Sequence, residues 1–332
     1  VYELMLALQG KDQKDVHVTN TENRVNARLL LLFMLALFAF YAWLYMRYHK
    51  SILPSAASVH GEEIDALLSF NFLILNITFA IIITLLFFFC FKYFSKKGRK
   101  ALYFTESHKL ELIWTVVPAI VMTVIIIWGL NTWNKITGNP PENGVLIELY
   151  ARQFDWTARY AGVDGKLGKS NYRLIGSANF MGLDPADETV NDDLIVKGEF
   201  HLLVNKPVNF VFNSQDVIHS AYMPHFRAQM NCVPGMTTQF HYTPNKTTAE
   251  MRELTGKPDF NFKLLCAKIC GVAHYNMQMD IVVDNEADYN KWISEQKNVK
   301  GKGLFADSDR QINTKATPSL IAEGGAEVIV TQ

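Results

Sequence analysis

Three long apolar runs in the first 133 residues constrain this chain more than any other feature of it. Leu29–Met46 reads LLLLFMLALFAFYAWLYM, with hardly a polar group in it. That is just enough to cross a bilayer, which takes about 20 helical residues. Tyr41, Trp43, Tyr45 and Tyr48 crowd its C-terminal end, as an interfacial aromatic belt does, and Arg28 and Arg47 bracket it. The second run, Ile64–Phe94, carries no charge from Ala66 to Phe91. A helix of a soluble protein rarely stays apolar on every face for so long. Asn71 and Asn76 lie inside it and are expected to face a neighbouring helix rather than lipid. The third, Leu110–Trp133, would be about 36 Å long as a helix, with Pro118 expected to kink it. Between the second and third runs stand Lys96, Lys97, Arg99, Lys100 and Lys109. The positive-inside rule makes this loop cytoplasmic and puts Asn134 onward on the outer side of the membrane.

From Val145 the pattern changes to period-two alternation broken by turn residues, which predicts an all-β domain. VLIELYARQFDWTARY, FHLLVNKPVNFVFNSQD and MDIVVD read as strands, with Pro207, Pro224, Pro234, Pro244 and Pro258 between them. The expected fold is three transmembrane helices followed by a Greek-key β-sandwich. The expected divisions are a polar segment 1–25, a membrane domain 26–133, a β domain 134–290 and a polar tail 291–332. The start VYELMLAL is either the end of a hydrophobic helix or a short amphipathic segment, and a chain beginning at Val1 is either processed or part of a longer precursor. Lys and Arg (32) balance Asp and Glu (32), which argues against a nucleic-acid partner. The polar stretch Gly162–Val196, with Asp184, Asp187, Glu188, Asp192 and Asp193, is a solvated loop or a surface that presents carboxylates to a basic cytochrome.

Chemistry concentrates in Cys266-Ala-Lys-Ile-Cys270-Gly-Val-Ala-His274-Tyr-Asn-Met277. Thiols, an imidazole and a thioether are soft or borderline ligands, the set copper favours and magnesium or calcium does not use. Gly271 and the strand-like MDIVV that follows favour a loop closing between two strands over a helix. A blue-copper site needs one Cys, so the second allows a pair of sulfurs to bridge two metal ions. Such a site needs a further imidazole, which Asp216-Val-Ile-His219-Ser220 supplies. A Cys2His2 zinc site would leave Met277 unexplained, and a Cys266–Cys270 disulfide would leave the two histidines unexplained. Four cysteines are too few for a disulfide framework in 332 residues, and Cys90 and Cys232 are expected to be core thiols without a ligand role.

The pair DVIHS … CAKICGVAHYNM resembles cytochrome c oxidase subunit II, the haem–copper oxidase subunit that carries the binuclear copper A centre. The resemblance runs from about Ile64 to Asp284. It implies a cupredoxin-like sandwich in which Cys266 and Cys270 bridge two copper ions, His219 and His274 each bind one, and Met277 and the backbone carbonyl of Lys268 complete the set. It implies that the chain passes electrons from cytochrome c to haem in subunit I, where oxygen is reduced to water with proton pumping. The setting it implies is a bacterial inner membrane, with the copper domain on the periplasmic side. KLELIWTVVP is similar to the start of the family's last membrane helix, which makes Glu111 the mouth of a proton channel; otherwise Glu111 is an interfacial carboxylate favoured by the helix dipole.

Departures accompany the likeness. Lys268 stands where the family has a Glu that helps hold magnesium, and a lysine has no acceptor to offer a cation, so the usual magnesium site is not expected. Phe154 replaces the tryptophan that receives electrons, although Trp156 remains; these two are the candidate electron-receiving residues, and the replacement leaves open a membrane-tethered or unusual cytochrome as the donor. Ala221 and Tyr222 follow the His-Ser pair, where the family has its aromatic one position earlier. Most relatives have two membrane spans, and the extra one here is Leu29–Met46. Nitrous oxide reductase shares the copper motif but needs a propeller domain, whose blade-length repeats do not precede this motif; quinol oxidase subunits lack the thiols. The tail holds no C-x-x-C-H, so the fused cytochrome c that some relatives carry is not expected in it.

Overall fold

A computed structural model describes residues 19–303; the apolar start VYELMLAL and the tail from residue 304 lie outside the described residues. The chain divides into two units, one holding residues up to Pro54 with Ala66–Trp128, the other Ser55–Asp65 with everything from Gly129.

The first unit is built from helix α1 (Asn20–Tyr48) and most of α2 (Val59–Lys92) and α3 (His108–Thr137); the start of α2 and the end of α3 belong to the second unit. All three are long and apolar enough to cross a membrane. Each expected span lies within its helix save for the last residues of the second, and α1 begins well before Leu29. A capping box starts it: Glu22 N donates to Thr19 Oγ1 at 3.2 Å and Thr19 N to Glu22 Oε2 at 2.7 Å, which satisfies donors that the first turn leaves open. Helix α3 runs unbroken through Pro118. Apolar side chains point outward on all sides of these helices, Leu112, Trp114 and Ile127 among them. In water that exposure would cost about 25 cal/mol per Å²; in hydrocarbon it costs nothing. Asn76 meets the expectation of facing a neighbour, since its Oδ1 accepts from Tyr41 on α1, while Asn71 bonds back to Leu67 O of its own helix at 2.9 Å. Phe33 and Phe38 of α1 pack on Phe87 and Phe79 of α2, and Phe70 packs on Trp128 of α3. Cys90 is not a core thiol. It is exposed on the outside of α2, because a helix apolar on every face has no inner side to hide it.

The second unit is a sandwich of two five-stranded sheets. One has the order β3 (Leu194–Val196), β2 (Asp155–Tyr160), β1 (Val145–Arg152), β5 (Val208–Ser214), β8 (Thr238–Tyr242). The other has β4 (Glu199–Leu203), β10 (Gln278–Asp284), β9 (Phe262–Cys266), β6 (His219–Met223), β7 (Ala228–Cys232). Strands β1 and β5 pair in parallel, as do β10 and β4, and the remaining pairs are antiparallel. Alternation decides what goes inside: along β10, Met279, Ile281 and Val283 are buried and the residues between them are not. They meet Trp156, Phe200, Phe210, Phe212, Phe226 and Phe262 in one core. Two of the expected strands are each a pair. VLIELYARQFDWTARY folds back at Gln153–Phe154 into β1 and β2, and FHLLVNKPVNFVFNSQD is cut by Asn205, in the left-handed region at φ 59, and by Pro207, so that β4 and β5 enter different sheets. Short helices α4 (Thr248–Thr255) and α5 (Glu286–Glu295) complete the unit.

The stretch Gly162–Val196 has its own small core, in which Met181, Leu183, Val190 and Ile195 pack with Tyr150 and Val299. Its carboxylates serve the insertion itself. Asp187 accepts from Lys169 N at 2.8 Å and caps Thr189, Asp184 accepts from Ala186 N at 2.9 Å, and Asp192 from Asp164 N at 3.1 Å. Asp193 is fully buried beside Arg159 at 3.0 Å, and the same guanidinium reaches Glu148 at 2.6 Å and Gly168 O at 2.8 Å. Burial pushes the Asp193 carboxyl up to about 6, against the pull of Arg159. Removing the cation strands two buried carboxylates, so Arg159→Met should destabilise the β domain by about 3–5 kcal/mol; a near-ultraviolet circular dichroism melt of the detergent-solubilised chain measures it.

Candidate metal centre

The centre lies at one end of the second sheet, where β6 begins and β9 ends. These strands are neighbours, with Ala221 opposite Cys266 and Tyr222 opposite Leu265. Their pairing sets His219, at the head of β6, beside Cys266, at the tail of β9. The chain then loops from Ala267 to Met277 and returns as β10. Two hydrogen bonds close the loop, Cys266 N to Met277 O at 3.1 Å and Ala267 N to Ser220 O at 3.0 Å. A tight turn at His274–Asn276 swings the imidazole and Met277 inward. Gly271 sits at φ +140, and a Cβ there would stand 2.8 Å from Phe154 Cζ, so only glycine fits.

The two sulfurs, Cys266 Sγ and Cys270 Sγ, are 3.9 Å apart. His219 Nδ1 lies 3.8 Å from the first and His274 Nδ1 3.5 Å from the second. Met277 Sδ is 3.8 Å from Cys270 Sγ, and the carbonyl oxygen of Lys268 is 3.2 Å from Cys266 Sγ. All six candidate ligands therefore converge, five by their side chains and Lys268 by its backbone, while the Lys268 side chain is exposed. His219, Cys266 and Cys270 place their donor atoms within 4.8 Å of one another.

The surroundings prepare these donors for a cation. Asp216 Oδ1 is 2.8 Å from His219 Nε2, which assigns the ring proton to Nε2 and leaves the Nδ1 lone pair facing the sulfurs. Burial pushes the Asp216 carboxyl up, but hydrogen bonds from Gln153 N, His219 and Val217 N outweigh it and hold the group below its ordinary range. The Cys270 thiol is pushed up to about 11, by burial first and by Cys266 second. Two thiolates this close cannot both persist without a positive charge between them, and soft cations are what thiolate, imidazole and thioether select. The donor set fits copper.

Comparison with known proteins agrees with this geometry. Residues 42–132 match the transmembrane domain of cytochrome c oxidase subunit II, and residues 147–285 match its periplasmic domain. The chain is 34% identical to the alternative cytochrome c oxidase subunit 2 of Bradyrhizobium diazoefficiens, over 72% of this chain and 82% of the relative. The chain belongs to the cytochrome c oxidase subunit II family. It is also 25% identical to cytochrome c oxidase subunit 2 of Thermostichus vulcanus, over 83% of this chain and 88% of that one. Among solved structures, the periplasmic domain of subunit II of cytochrome oxidase from Bradyrhizobium japonicum matches with a TM-score of 0.33 at 20% identity, covering 51% of this chain and all of that domain. Membership makes the protein a membrane-spanning oxidase subunit with a cupredoxin-like domain, and copper binding is expected of it.

Within the family frame, the remaining candidates separate. Phe154 is half-buried and lies against Gly271 of the ligand loop. Trp156 is fully buried and meets the His219 ring edge-on, with centroids 6.2 Å apart, so it supports the candidate ligand from inside. Ala221 is buried in the core, with Tyr222 half-buried after it. Glu111 occupies the first turn of α3, half-exposed and 3.5 Å from His108 Nδ1. Cys232 pairs with His219 across β6 and β7 but is sealed in the core, where burial pushes its thiol up to about 12 and leaves it inert. Sequence reasoning passed over Asp216 and Gln153. The carboxylate three residues before His219 is a local signal; the contacts of Gln153 are long-range and left none. Asp216→Ala should free the His219 ring and weaken copper binding by about 10–100-fold, read by chelator competition.

Proposed function

We propose that this chain is the electron-receiving subunit of a haem–copper oxidase, in which His219, Cys266, Cys270, His274, Met277 and the carbonyl of Lys268 hold two copper ions. It takes single electrons from cytochrome c and delivers them to haem in subunit I, where oxygen is reduced to water and protons are moved. The observation that carries this reading is a pair of thiols 3.9 Å apart with an imidazole nitrogen facing each from outside. When bound, a thiolate-bridged copper pair supplies a one-electron reservoir whose charge is shared over both ions.

The chain's own residues do the rest. Asp216 fixes the His219 tautomer, Trp156 and the strand ends prevent the donors from drifting, and the buried Met277 keeps water from the inner side. A rigid donor set changes little between oxidation states, which keeps the reorganisation accompanying electron transfer small. Ile269, Val272 and Tyr275 stand almost fully exposed on the ligand loop. An apolar group of this kind favours a protein partner over open water. Phe154, beside the loop, is the receiving contact, and Lys268 leaves the usual magnesium site without its carboxylate. Residues 26–133 form the membrane part and 134–290 the copper part, in a bacterial inner membrane with the Ser95–Lys109 loop cytoplasmic and the copper domain periplasmic.

Metal analysis of the purified chain is expected to give two coppers per chain and a mixed-valence optical and paramagnetic signal. Cys270→Ser should abolish the near-infrared band while the β domain stays folded. A band of full intensity in that variant, or one colourless ion in the parent, overturns the assignment. Glu111 opens a proton path into subunit I on this reading, so Glu111→Ala should slow oxygen turnover several-fold at unchanged copper content; unchanged turnover reduces it to an interfacial anchor.

A further inference from the structure

Gln153, in the turn between β1 and β2, belongs to neither ligand segment yet holds both. Its backbone N–H donates to Asp216 Oδ2 at 2.6 Å, and the other oxygen of that carboxylate takes His219 Nε2 at 2.8 Å. Its side-chain amide Nε2 donates to the carbonyl of Cys270 at 2.5 Å. A bracket therefore runs His219–Asp216–Gln153–Cys270 around the outside of the sulfurs, while the inner path runs His219–Cys266–Cys270 at 3.8 and 3.9 Å. The two paths close a ring. Gln215 N donates to Ala151 O at 2.9 Å and fastens the turn to the segment carrying Asp216. Gly271 completes the fit, because a Cβ there would meet Gln153 Nε2 at 3.0 Å as well as Phe154.

We propose that Gln153 is a positioning residue for the copper pair: its amide fixes the Cys270 peptide, and with it the spacing of the two sulfurs and the equality of the two metal positions. This rests on the copper reading above. The peptide carbonyl of Cys270 has its orientation set by one strong donor, so the Cα–Cβ direction that aims Cys270 Sγ at Cys266 is set with it. Without that donor the loop keeps its two closing hydrogen bonds at Cys266 and Ala267 but loses its tie at Cys270.

The test is Gln153→Met in the full-length chain purified in detergent with its oxidase partners. Methionine keeps the length and the backbone N–H to Asp216 and replaces the amide with a thioether, which cannot donate to the Cys270 carbonyl. The expected result is a chain that still binds copper, about tenfold more weakly in chelator competition, with an altered copper hyperfine pattern and a shifted reduction potential. Asp155→Ala, which breaks surface ion pairs on the same turn, serves as control and should leave all three as in the parent. A parental hyperfine pattern, affinity and potential in Gln153→Met overturns the positioning role, and so does an equal change in Asp155→Ala. If methionine prevents folding, Gln153→Asn, one methylene short of the carbonyl, is judged by the same measurements. Failure of the copper reading shows elsewhere, as a parent chain without two coppers, and carries this proposal down with it.

Discussion

Two thiols that touch but do not bond are the constraint around which the β domain is arranged. At 3.9 Å, Cys266 and Cys270 are too far apart for a disulfide and too close for two free thiolates. Burial raises the Cys270 thiol, and the neighbouring Cys266 raises it further. Positive charge relieves both. The fold accordingly brings soft, neutral donors around the sulfurs and places its one nearby carboxylate, Asp216, behind the imidazole rather than beside the metal position. That arrangement lets a carboxylate orient a ligand without adding a charged oxygen to the donor set.

Two solvents divide the rest of the chain. The helices are apolar on every face and leave that surface bare, which only lipid can satisfy. The sandwich separates its residues by alternation and hides large aromatics between its sheets. One buried polar set joins Arg159 with Glu148, Asp193 and Gly168 O, and Asn213 with the other oxygen of Glu148 at 2.6 Å. Such a set gains little over apolar packing but makes any wrong register of β1 against β2 costly, because a slip would strand a charge. It pins the hairpin whose turn carries Gln153 and Phe154.

How far each feature was legible follows from how local its cause is. The membrane helices were plain, since lipid imposes composition residue by residue, but not the start of α1, which depends on a capping box at Thr19 and Glu22, upstream of the uniformly apolar run. All six candidate ligands could be named from the sequence because one loop carries five of them and a short motif the sixth. The fold-back at Gln153–Phe154 was not, since no Gly or Pro marks it and the register of β1 on β2 decides it. The same reason hid Gln153 as a contact of Cys270, which lies 117 residues away. The acidic insertion shows a third case: its composition left its role open, and what the sequence could not show is that most of its carboxylates accept hydrogen bonds from the backbone of their own loop.

The aromatic pair behind the ligand loop shows what changing one ring does. Trp156 lies under His219 and, being wholly enclosed, can influence only the ligand. Phe154 lies nearer the surface against Gly271, and it has no N–H to offer. Contact made through it is therefore apolar, as is contact made through Ile269, Val272 and Tyr275 on the adjoining loop. Lys268 adds a positive charge to that loop, and Asp216, behind His219, is already engaged by His219, Gln153 and Val217. The exposed tip of the ligand loop therefore offers apolar side chains and one lysine rather than carboxylates. A donor steered in by a ring of carboxylates would require negative groups that the ligand loop does not present.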